Sequence, residues 1–320
     1  MPHLNQFAAG PEPLDMTASE EFASLRASAA DLGVDHGQSP RYASRGLIMR
    51  HLRFHYLEWG APESPPVLLL HGGHQSAHSW DLVSLALADR FHLYALDQRG
   101  HGDSEWAKDK NYDTEAMTED ALEFVSRMGT EAPIVMGHSM GGLVALSMMK
   151  REPRLMRAAV IVDVGPEVSP AGGEIIRNFV RHNVEFTDLE AFVESVRRYD
   201  PFRSREHIER TTRYNMIRRV DGTYVSKCDI RLERPQDAGE AEPVREAFSL
   251  DDARAVPCPT LIVRGEESMV LEASAGERFA AALPQGQIVT VPRCGHNVHS
   301  QNTVGFLEAV TPFLSGFEAS

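Results

Sequence analysis

Cysteine is scarce in these 320 residues: there are three, Cys228, Cys258 and Cys294. An odd number at wide spacing builds no disulfide framework, and no C-x-x-C pair is available for zinc or thiol redox chemistry. Reduced thiols in a cytoplasmic protein are the expectation. Positive charge is also short. Thirty-two Lys and Arg stand against 46 Asp and Glu, a net charge of −14. That is the wrong sign for a chain whose main partner is nucleic acid or an anionic membrane surface. Long apolar runs are missing too. The longest, such as Val67 to Leu70, are strand-sized and fall far short of the ~20 residues that span a bilayer. Met1 to Asp15 hold prolines and acids without a basic start and apolar stretch, so no secretory signal is expected. Internal repeats are absent.

What is present is a globular composition, 42% hydrophobic and 24% charged. Continuous apolar runs at Val67–Leu70, Leu93–Leu96, Ile134–Met136, Val160–Val162, Leu261–Val263 and Ile288–Val291 read as strands buried on both faces. Helix-length stretches lie between them: Trp80–Ala88, Thr114–Met128, Leu143–Lys150, Ala273–Leu283 and Val304–Leu314. The alternation predicts an α/β fold, a mostly parallel central sheet with helices on both faces. Two segments stand apart. Residues 1–45 form an N-terminal arm whose Thr17–Leu32 stretch suits a helix capped by Thr17 or Ser19 and stopped at Gly33. Residues 166–250 interrupt the alternation with amphipathic stretches and a hairpin turn at Asp221-Gly222, at nearly balanced charge. They read as an inserted helical lid, which divides the core into 46–165 and 251–320. Arm and lid are the surfaces through which a second copy would pair.

Chemistry concentrates in two glycine-lined turns. Gly137-His138-Ser139-Met140-Gly141 lies between a strand and a helix, the setting a G-x-S-x-G elbow requires. Small residues at −2 and +2 let a sharp turn lift the Ser139 hydroxyl out of the sheet. The same turn aims the Met140 N–H at the space in front of it. His71-Gly72-Gly73-His74 follows the strand Val67–Leu70 and offers the Gly73 N–H as a second donor. With D-Q-R-G-H-G-D-S at 97–104 and G-H-N-V-H at 295–299, these segments resemble the α/β-hydrolase superfamily, in its motif order, over residues 46–320.

The resemblance implies the α/β-hydrolase fold with a lid, Ser139 as nucleophile and His296 as general base. Gly73 and Met140 become oxyanion donors. It calls for no cofactor, no metal and a small-molecule substrate. Asp97 to Ser104 becomes a structural turn, while His138 and His299 become packing residues. His74 and His78 lack the H-E-x-x-H glutamate of a metal site. The acid departs from the pattern. Most relatives carry an Asp three residues after the glycine that ends the strand Leu261–Val263, and here that position is Ser268. Asp163, at the end of Val160–Val162, is the preferred replacement, in the manner of haloalkane dehalogenases and a zearalenone lactonase. Glu267 is the alternative. The activity implied is hydrolysis of a carboxylic ester, lactone or related activated carbonyl. C–C bond hydrolysis of ring-cleavage products, or ligand binding without turnover, stay open. Phe179, Phe186, Phe192, Tyr199, Phe202 and Tyr214 are candidates for an aromatic pocket, with helix core packing the expected role of most and at most a few facing substrate. Arg177, Arg181, Arg197 and Arg198 either meet a carboxylated substrate or form solvated faces.

Overall fold

A computed structural model describes residues 14–38, 40–129, 132–182, 184–229 and 247–318. Twelve strands occur among them. In chain order they are β1 (Leu14–Asp15), β2 (Tyr42–Met49), β3 (Leu52–Trp59), β4 (Pro66–Leu70), β5 (His92–Leu96) and β6 (Ile134–His138). They continue with β7 (Ala158–Val162), β8 (Glu185–Phe186), β9 (Met216–Arg218), β10 (Tyr224–Ser226), β11 (Thr260–Gly265) and β12 (Gly286–Val291). Nine of them make one sheet in the order β1-β2-β3-β5-β4-β6-β7-β11-β12. The pairs from β5 through β12 are parallel, whereas β1, β2 and β3 join antiparallel at one edge.

The period of two along each apolar run explains the layers. Val67, Leu69, Ile134, Met136, Val160 and Leu261 face one core, and Leu68, Leu70, Val135, Ile161 and Ile262 face the other. The first core is closed by the helices Asp81–Leu87 and Thr303–Leu314, and the second by Thr114–Met128, Met140–Arg151 and Ala273–Ala282. Strand order reverses around β4, with β5 on one side and β6 on the other. In open α/β sheets the carboxyl ends of the strands at such a reversal form a crevice that receives ligands.

The described residues between 14 and 45 are woven into this body. The helix Glu20–Leu32 is capped by Ser19, whose Oγ accepts from the Phe22 N–H at 3.0 Å, and ends at Gly33. Its Phe22, Leu25 and Ala29 enter the first core, and Tyr42 stacks on Trp59 with ring centroids 3.8 Å apart. β2 begins at Tyr42, inside the segment that the sequence marks as an arm. Register pairing of Tyr42 with Trp59 carries β2 through half-buried positions that have no apolar pattern of their own.

Between β7 and β11 lie helices at Pro170–His182, Leu189–Tyr199 and Arg205–Thr212. A three-stranded sheet, β8-β10-β9, joins them; the expected hairpin turn at Asp221-Gly222 connects its β9 and β10, whereas β8 was not expected. Its strands are two or three residues long, too short to register as apolar runs. Residues 230–246 of that segment, and the side chains of Arg177 and Arg181, lie outside the described residues. No helix among the described residues is long and apolar enough to cross a membrane.

Candidate active site

Ser139 sits between β6 and the helix Met140–Arg151 with φ 50° and ψ −114°, a conformation L side chains rarely adopt. Two glycines make the turn possible. A Cβ on Gly137 would run into the Gly141 carbonyl, and one on Gly141 into the carbonyls of Leu70 and His71. The elbow is pinned from both sides, by the Ser139 N–H donating to Val162 O at 3.0 Å and the Gly141 N–H to His71 O at 3.1 Å.

His296 follows β12 and brings its ring to the elbow. The Ser139 hydroxyl donates to His296 Nε2 at 2.9 Å, and the His296 Nδ1–H donates to Asp163 Oδ2 at 2.8 Å. A carboxylate only accepts, so this second bond places the imidazole proton on Nδ1 and leaves the Nε2 lone pair facing the serine. Asp163 ends β7, is fully buried, and has φ 54°, a second strained non-glycine residue in the site. Its carboxylate also accepts from the Gly265 N–H at 3.1 Å and from the Ser268 hydroxyl. Ser268 Oγ in turn accepts from the Val270 N–H at 3.1 Å. The residue that stands where an acid was expected therefore braces the carboxylate that took over its contact with His296. Glu267 is exposed, and its side chain makes no hydrogen bond to His296.

Gly73 and Met140 border the cavity that Ser139 and His296 face. Neither N–H donates to a described acceptor, although the neighbouring N–H groups of Gly72 and Gly141 do. The loop that carries Gly73 is held by His71, whose Nδ1–H donates to Gly72 O at 2.8 Å and whose Nε2 accepts the Gln98 N–H at 3.0 Å. His138 is buried behind it and donates from Nε2 to the His296 carbonyl at 2.9 Å, a link that the packing role expected from sequence did not include. Gly72 has no Cβ because the His138 ring occupies that place. An alcohol aligned on a neutral imidazole, with open N–H donors close by, can attack an electrophilic carbon as it loses its proton.

Five of the buried histidines are pushed toward the neutral form. Burial pushes His71 down, and pushes His101, His138 and His207 well below the ordinary imidazole range. His299 is lowered to about 3, by burial first and by the Arg203 charge second. It stacks on Trp80 at 4.1 Å, and neither of its ring nitrogens has a described partner. Below about pH 6.5 the unfolded chain takes up a proton that the folded His299 refuses, so stability falls with acidification. The contribution is about 1.4 kcal/mol per pH unit for one such group. Replacing His299 with Phe is expected to flatten the slope of unfolding free energy against pH by about that amount, between about pH 6.5 and 4.5. Urea titrations of both proteins across that window measure it, and an unchanged slope would contradict the assignment.

The cavity measures about 320 Å³. From the 166–250 segment, Ile176, Phe179, Phe192, Val196 and Tyr199 line it. Phe186 instead packs on Phe192, and Tyr214 stacks on His78. Arg197 and Arg198 are exposed, and Arg197 pairs with Glu194 on its own helix. Cys294 is fully buried behind His296, its thiol pushed up to about 12 by burial.

The turn at 97–104 is structural in its contacts. Asp97 accepts from His55 Nδ1 at 2.7 Å and from the N–H groups of Ala77 and Asp103 at 2.6 and 2.9 Å. Burial opposes its charge, yet these bonds hold its carboxyl well below the usual range. His55, Asp97 and Asp103 lie close enough together to ligate a metal ion. Their donor atoms are already engaged, however, with Lys227 Nζ on Asp103 at 2.6 Å completing the set.

Comparison with known proteins adds the family. Residues 67–309 match the model of a family described as the alpha/beta hydrolase family. The chain is 28% identical over 309 residues to esterase Rv0045c of Mycobacterium tuberculosis, covering 94% of this chain and 97% of that protein. A solved structure of that esterase superposes with a TM-score of 0.74 at 26% identity, over 93% of this chain and 100% of the other. The 3-hydroxybutyrate-oligomer hydrolase of Cupriavidus necator is 28% identical over 254 residues, covering 76% of this chain and 87% of that one.

Proposed function

The chain belongs to the alpha/beta hydrolase family, and from that premise we propose that it is a serine hydrolase of small carboxylic esters, lactones or related activated carbonyls. Ser139 attacks the carbonyl carbon while His296 Nε2 takes the hydroxyl proton. Asp163 holds the imidazole by Nδ1 and stabilises its charged form. The N–H groups of Gly73 and Met140 receive the developing oxyanion. His296 returns its proton to the leaving alcohol, then activates the water that releases the acid from Ser139.

One observation carries this reading: a single imidazole lies 2.9 Å from a serine hydroxyl held in a strained elbow and 2.8 Å from a fully buried carboxylate. The names of the esterase and oligomer-hydrolase relatives support ester chemistry over the other reactions of the fold. The segment 166–250 is the lid, placing an apolar wall opposite the nucleophile. A fluorophosphonate probe should label Ser139 stoichiometrically, mapped by peptide mass spectrometry, and the labelled protein should lose p-nitrophenyl ester hydrolysis. Absence of labelling alongside tight small-molecule binding would instead make the chain a ligand-binding relative without turnover.

A further inference from the structure

Arg203 enters the cavity from the turn between the helices Leu189–Tyr199 and Arg205–Thr212, and sequence patterning did not single it out. Histidines aside, it is the one charged side chain among the described residues that line the cavity. It is 13% exposed and its partner Asp200 is fully buried. Nε donates to Asp200 Oδ2 at 2.6 Å and Nη1 to Thr211 Oγ1 at 3.3 Å, whereas Nη2 donates to no described residue. Asp200 also accepts the Phe202 N–H at 3.3 Å, which fixes the carboxylate that aims the guanidinium.

Placing a guanidinium in a confined site is costly unless its donors are met. Asp200 takes Nε and Thr211 takes Nη1, which leaves Nη2 without a described partner on a residue that lines the same cavity as Ser139. The neighbouring wall is polar, with Thr211, Thr212 and Asn215, while Phe179 and Phe192 stand in the apolar part. A planar fork with an open edge matches a two-oxygen acceptor. Asp200 already neutralises the guanidinium charge, so the open donors bind by hydrogen bonding and leave each added negative charge uncompensated, more so for a dianion. That favours a carboxylate over a phosphate dianion.

We propose that Arg203 is a specificity-determining residue that binds a carboxylate on the substrate, at the end remote from the carbonyl attacked by Ser139. The substrate class becomes monoesters of short dicarboxylic acids, in keeping with a cavity at the small end of the ligand-pocket range. This deepens the hydrolase reading and rests on it.

The test compares mono-p-nitrophenyl glutarate with p-nitrophenyl pentanoate, acyl chains of equal length that end in a carboxylate or a methyl group. The native enzyme should have the higher kcat/KM for the glutarate ester. Arg203→Gln should lower the glutarate-to-pentanoate ratio by on the order of tenfold or more, and Arg203→Lys by less. Loss of Arg203 strands the buried Asp200, so the double variant Arg203→Gln with Asp200→Asn controls for folding and should show the same fall. A native ratio at or below unity, or one that Arg203→Gln leaves unchanged, overturns the proposal. Calorimetry with glutarate separates it from the hydrolase reading. Binding to Ser139→Ala that weakens on the order of tenfold when Arg203→Gln is added supports the contact, and equal affinity refutes it. Failure of the hydrolase reading shows instead as an unlabelled Ser139 with glutarate binding intact.

Discussion

Ser139→Ala is expected to lower kcat on short acyl esters by about 10⁶-fold with the fold intact, the scale of losing a nucleophile that acts as one unit with its base. Nothing nearby can replace it. The elbow presents one hydroxyl to His296 Nε2. What survives comes from the Gly73 and Met140 N–H groups and from binding, typically 10³–10⁴-fold over water. His296→Ala should cost a similar amount, and the double variant little more, because each residue is idle without the other. Stopped-flow release of p-nitrophenol measures both the burst and the steady rate. A Ser139→Ala protein that still gives an acyl-enzyme burst would end the assignment.

Asp163→Asn is the second large effect, an expected loss of about 10³–10⁴ in kcat with a much smaller change in KM. The substitution is nearly isosteric. An asparagine can, however, present its amide N–H₂ to His296 Nδ1, which drives the ring proton to Nε2 and leaves the serine no base. The imidazolium formed during attack also loses its buried counter-charge. Glu267→Gln is the paired measurement. Glu267 is exposed and makes no hydrogen bond to His296, so its removal should leave turnover near the native value. If the two variants exchanged these results, Asp163 would be a structural acid and not the partner of His296.

The sequence preferred Asp163 but left Glu267 open, because the choice depends on which strand tips are neighbours. β7 and β11 pair in parallel, Val162 opposite Val263, so the residues just beyond both tips lie next to each other below His296. A carboxylate from either strand can reach the same nitrogen, and position along the chain does not say which one does. The structure decides by burying Asp163 and turning the Ser268 hydroxyl onto it. Arg203 escaped notice for a related reason. It sits in a turn, outside any periodic pattern, and four other lid arginines looked equally suited until folding exposed Arg197 and Arg198 and sent Arg203 inward.

The elbow and the parallel core were legible because they are local. A buried parallel strand must be a continuous apolar run, and a nucleophile turn must carry small residues where Gly137 and Gly141 approach backbone carbonyls. Such demands act within about ten residues of chain and leave their mark there. By itself, then, the sequence determined the sheet, its two helical layers, the serine and the histidine. Tertiary structure singled out, from the two carboxylates the sequence offered, the one below His296, and it alone brought an arginine to the cavity. It also decided how the segment from Leu14 to Arg45 joins the sheet edge, where Leu14 pairs with Ser44 and Tyr42 stacks on Trp59. Each of these is a contact between segments far apart in sequence. Its energy comes from burial and hydrogen bonding that exist only once the segments meet, so no one stretch of residues encodes it.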